Sequence, residues 1–74
     1  MTAKITKRGR MWSIDGVIGM TEAEFESVAK QILSMPELRG DTVLVFQTRQ
    51  GIERWSVADF SNDSSRGCLY QKIQ

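Results

Sequence analysis

Acid–base or nucleophilic chemistry in this chain would have to be assembled from Cys68 and from carboxylates, because its 74 residues include no histidine. A hydrolytic site needs a nucleophile beside a base, or two carboxylates whose surroundings push their pKa values apart. Asp15, Asp41, Asp59 and Asp63 all stand beside turns or strand ends, where aspartate is a routine turn residue. Cys68 has no base near it in sequence, so it reads as a small packed residue rather than a reactive thiol. A single thiol among scattered carboxylates makes neither a zinc set nor an intramolecular disulfide. No constellation converges, and the expectation is a protein that is not an enzyme and carries no cofactor or metal.

The chemistry that remains is recognition. Lys4, Lys7, Arg8 and Arg10 place four positive charges within seven positions and run into Trp12. Cations next to an indole can pair phosphate contacts with base stacking, which makes this segment the candidate nucleic-acid site. The formal net charge is only +1, and the same charges suit the solvated side of an edge strand. Nucleic acid is therefore the second choice of partner. The first is another protein, or a second copy of the chain. Aromatic anchors at Trp12, Trp55 and Tyr70, with the acidic pair Glu22 and Glu26, are the candidate contact residues. Glu22, Glu26, Glu37 and Asp41 could form a negative surface for a basic partner; the plainer reading pairs Glu26 with Lys30 one helical turn on. Gly16-Val17-Ile18-Gly19 has the GxxG spacing of a KH-domain clamp. It follows a strand and lacks basic residues between its glycines, and so reads as a strand-to-helix turn.

The elements that must position these residues centre on one helix at residues 20–35. Thr21 and Glu24 form a capping box, and Met20 and Phe25 occupy the two positions of a hydrophobic staple. Phe25, Val28, Ala29, Ile32 and Leu33 then repeat as one apolar stripe, which Pro36 ends. Around it lie segments with strand character. Residues 1–14 hold one bulged strand or two short ones broken at Arg8–Gly9. Residues 43–46 are apolar at both parities, as in a central strand covered on two faces. Arg49-Gln50-Gly51 predicts a hairpin connection to an alternating strand at residues 52–57. Residues 61–67 read as a polar loop and residues 68–73 as a last strand. The predicted fold class is α+β: one amphipathic helix packed on a four- or five-stranded, mostly antiparallel sheet, in the order β(β)αβββ.

Length and composition bound the rest. Seventy-four residues, 41% hydrophobic and 26% charged, make a single soluble domain with no room for a second core. No apolar run approaches the roughly 20 residues that span a bilayer, and no secretory pattern opens the chain, so the expectation is a cytoplasmic protein without a membrane partner. This layout resembles the small stand-alone proteins of bacteriophages and prophages, the anti-CRISPR proteins among them, several of which bind and block a host protein. The resemblance implies an inhibitor or regulator that docks on a host macromolecule. One physical expectation carries that reading further. A single helix covers one face of a sheet, and strands with apolar residues at both parities leave the second face partly apolar and available for association.

Overall fold

The computed structural model describes residues 3–74; Met1 and Thr2 of the basic segment lie outside them. A four-stranded sheet is formed by β1 (Lys4–Arg8), β2 (Met11–Asp15), β3 (Val43–Thr48) and β4 (Gly51–Ser56), in spatial order β1-β2-β3-β4. Helix α1 (Glu22–Leu33) links β2 to β3, and the short α2 (Val57–Ser61) and longer α3 (Asp63–Ile73) follow β4. The α+β class stands, and the sheet is mixed: β1/β2 and β3/β4 are antiparallel while β2/β3 is parallel. That parallel pair is what α1 makes possible, since parallel neighbours need a long crossover.

Local chemistry sets the boundaries. Gly9, at φ 60, lets β1 and β2 turn back on each other, so the segment is two strands and not one bulged strand. Thr21 caps α1 as anticipated: its Oγ1 accepts from the Glu24 N–H, and the Glu24 carboxylate accepts from the Thr21 N–H. Met20 and Phe25, the staple positions, are both buried.

The last third of the chain differs from the strand expected there. Residues 68–73 are helical, and the stretch before them carries two helix starts rather than a polar loop. Ser56 Oγ accepts from the Asp59 N–H to cap α2, and Asn62 Oδ1 accepts from the Ser64 and Ser65 N–H groups to cap α3. Leu69 and Ile73, four positions apart, share a face at a strand's period and at a helix's alike. What separates the two periods is Arg66, which joins Leu69 and Ile73 on the buried side at helical spacing. The C-terminal carbonyls of α3 are held by the rest of the fold: Ile73 accepts from the Gly19 N–H and Lys72 from the Arg49 N–H.

All three helices pack on the same side. Trp12, Ile14, Leu44 and Phe46 point from the two central strands into one core with Phe25, Val28 and Ile32 of α1, Phe60 of α2, and Leu69 and Ile73 of α3. Phe25 sits edge-on to Phe46 and Phe60, with ring centroids 6.1 and 6.2 Å away, and Phe46 stacks on Phe60 at 5.3 Å. Among the described residues no layer covers the opposite face of the sheet. β3 is central, but it is covered on one face only: Val43 and Val45 are half-buried and do not join the core.

Candidate functional site

Pairing register places the uncovered face residue by residue. One row across the sheet runs Arg8, Met11, Val43, Ser56, and the next runs Thr6, Ser13, Val45, Arg54. At the end of the sheet Lys4 lies opposite Asp15, and Gln47 opposite Ile52. Among the described residues three large hydrophobic side chains are exposed, and two of them, Met11 at 46% and Ile52 at 65%, are on this face. The third, Ile18, sits in the loop between β2 and α1.

Ion pairing separates the charges. Lys7 bonds Glu37, Arg10 lies 3.6 Å from Asp41, Lys72 lies 2.9 Å from Glu53, and Arg66 bridges Glu26 and Asp63. Lys4, Arg8 and Arg54, the cations of the uncovered face, make no ion pair among the described residues. The carboxylates with no ion pair among the described residues are Asp15, Glu22, Glu24 and Asp59; the last three lie in first helical turns, where the helix dipole favours them. The uncovered face therefore carries three cations against the single Asp15. Its centre, Met11, Ser13, Val43 and Val45, is uncharged.

The residues expected to do the binding are dispersed by this geometry. Trp12 is 2% exposed, on the helix side, with the Lys7 ammonium 5.1 Å from its ring centroid. It can neither stack on a base nor anchor a partner. Trp55 and Tyr70 are half-buried on the same side, and Trp55 Nε1 donates to Glu53 Oε1 at 3.1 Å. Glu22 is exposed at the start of α1. Glu26 is not the partner of Lys30 in an exposed pair: its two oxygens accept from Arg66 Nε and Nη2, each at 2.9 Å. The Arg66 hydrogen bonds hold the Glu26 carboxyl below the usual carboxylate range, and the Lys7 and Lys72 ammonium groups do the same for Glu37 and Glu53. The basic segment is split as well. Lys4 and Arg8 join the uncovered face, whereas Lys7 and Arg10 are drawn to Glu37 and Asp41 of the α1–β3 connection.

Ile52 and Arg54 carry no signal of their own because their identities resemble those of any strand, and half-buried Val45 belongs to a strand whose two parities are both apolar; only the register of β3 and β4 puts all three on the same face as Arg8 and Met11. No protein family, characterised protein or solved structure matches the chain. Among the described residues no cluster of three metal-ligating side chains occurs, and no helix is long and apolar enough to cross a membrane. Cys68 is exposed on α3.

Proposed function

We propose that this chain is a non-enzymatic interaction module, an inhibitor or regulator that acts by occupying the surface of another macromolecule, and that it docks through the uncovered face of its sheet. The observation that carries the reading is the coincidence on one face of two kinds of surplus: exposed Met11 and Ile52, and the cations Lys4, Arg8 and Arg54. Apolar and arginine side chains together are the composition of protein interfaces, where methionine and arginine are enriched. A non-catalytic role is further supported by the carboxylates. Asp41 and Asp63 are engaged by Arg10 and Arg66, and Asp59 stands in the first turn of α2, so each serves the fold where it stands.

The test is a comparative capture from a lysate of the source cells. A partner retained by the parent chain should be lost by Met11→Asp and by Val45→Asp, and kept by Glu22→Lys on the helix side. Equal capture by all four proteins would refute docking through this face.

A further inference from the structure

We infer that the occupant of the uncovered face is an acidic, extended segment of another protein. The inference rests on the docking reading above and adds the chemistry of the partner.

Charge complementarity comes first. Lys4, Arg8 and Arg54 border an uncharged centre of Met11, Ser13, Val43 and Val45, and Asp15 alone opposes them. Two copies meeting through this face would bring six cations together against two carboxylates. Like charges juxtaposed across an interface select against a partner, so the face discriminates against its own copy. Four strands at about 4.8 Å spacing and five or six residues at about 3.3 Å each make a face roughly 19 Å by 18 Å. A single extended segment of about six residues matches the length of the face.

The placement of aromatic rings separates a peptide from nucleic acid. Trp12, Phe25, Phe46, Trp55, Phe60 and Tyr70 all belong to the helix-side core or pack against it. The uncovered face thus has no ring on which a base could stack, and lacks the contact that adds about 1–3 kcal/mol per base to single-strand binding. Three cations around exposed Met11 and Ile52 suit carboxylates interspersed with aliphatic side chains.

Panning a random peptide library against the immobilised full-length chain tests this. Enriched peptides should carry net negative charge with interspersed aliphatic residues. Synthetic copies should bind the parent and lose about tenfold or more in affinity against Arg8→Glu/Arg54→Glu, while Arg8→Lys/Arg54→Lys keeps most of the binding. Arg8 and Arg54 are exposed, so the variants keep the fold, and circular dichroism verifies it. Peptides without acidic bias, lost on Val45→Asp but indifferent to the charge reversal, would overturn the inference and leave the docking reading intact. No enrichment would overturn the inference, and binding that neither Val45→Asp nor the reversal affects would overturn both. Tighter binding of oligo-dT or duplex DNA to the same face, or a concentration-dependent dimer abolished by Val45→Asp, would overturn the inference in favour of that occupant.

Discussion

Arg66→Met is the substitution whose cost the structure defines best. Arg66 is 5% exposed and ties the three helices together: Nε and Nη2 donate to Glu26 of α1, Nη1 donates to the Phe60 carbonyl of α2 at 2.7 Å, and its own backbone belongs to α3. Methionine fills much of the same volume and removes every one of these donors. Breaking a fully buried ion pair costs about 3–5 kcal/mol, an upper bound here because water reaches Glu26 and Asp63. Water can resolvate the Glu26 carboxylate, whereas the Phe60 carbonyl loses its partner in a buried setting. A charged hydrogen bond contributes about 1.5–3 kcal/mol and an orphaned buried acceptor costs about 1–3, so the expected loss is about 2–4 kcal/mol. At about 4–8 °C per kcal/mol for a domain of this size, Tm should fall by roughly 10–30 °C. Urea unfolding followed by far-UV circular dichroism reads it directly. The pH dependence supplies an independent check. Glu26 has a folded pKa held below its unfolded value, so its pairing stabilises the fold above the ordinary carboxylate pKa. That stability is lost as pH falls through the lowered folded pKa. The acid limb of the stability profile should therefore be shallower in Arg66→Met than in the parent. A variant within about 0.5 kcal/mol of the parent, with an unchanged acid limb, would refute the reasoning.

Three further outcomes are expected. Thr21→Ala should cost about 0.5–2 kcal/mol in urea unfolding, because it removes the N-cap of α1 and leaves Glu24 without its reciprocal partner. Phe25→Ala should cost about 3–5 kcal/mol, since the ring is fully buried against Phe46 and Phe60, and thermal unfolding at parental temperature would show that face to be wrongly assigned. Ile52→Lys should move stability by no more than about 0.5 kcal/mol, because the side chain touches solvent rather than core; a large loss in chemical denaturation would mean the face is covered.

The amino-acid sequence by itself determined α1. Its cap, staple and stripe are contacts between residues three to five positions apart, and such local terms are written in order along the chain. It determined the β3–β4 hairpin for the same reason, through the turn before Gly51, whereas at Gly9 a hairpin and one bulged strand were both open and the pairing of β1 with β2 decided between them. It also excluded a histidine-based site outright. In the C-terminal third the sequence points to a loop and a strand where the chain is helical, because Leu69 and Ile73 satisfy both periods and Gly67 weakens the helix signal by about 1 kcal/mol. There the decision is tertiary: the helix is favoured by burying Leu69 and Ile73 against the aromatic core and by drawing Arg66 onto Glu26. The interaction surface was decided at the same level. That Trp12 is core while Met11 is exposed depends on which face all three helices share, and single-strand alternation is symmetric between the two. Which cations are neutralised depends on the α1–β3 connection returning beside β1, thirty positions from Lys7, to place Glu37 against it. The charges of the open face are thus a remainder, set by contacts distant in sequence, and only the assembled fold decides which ones are left.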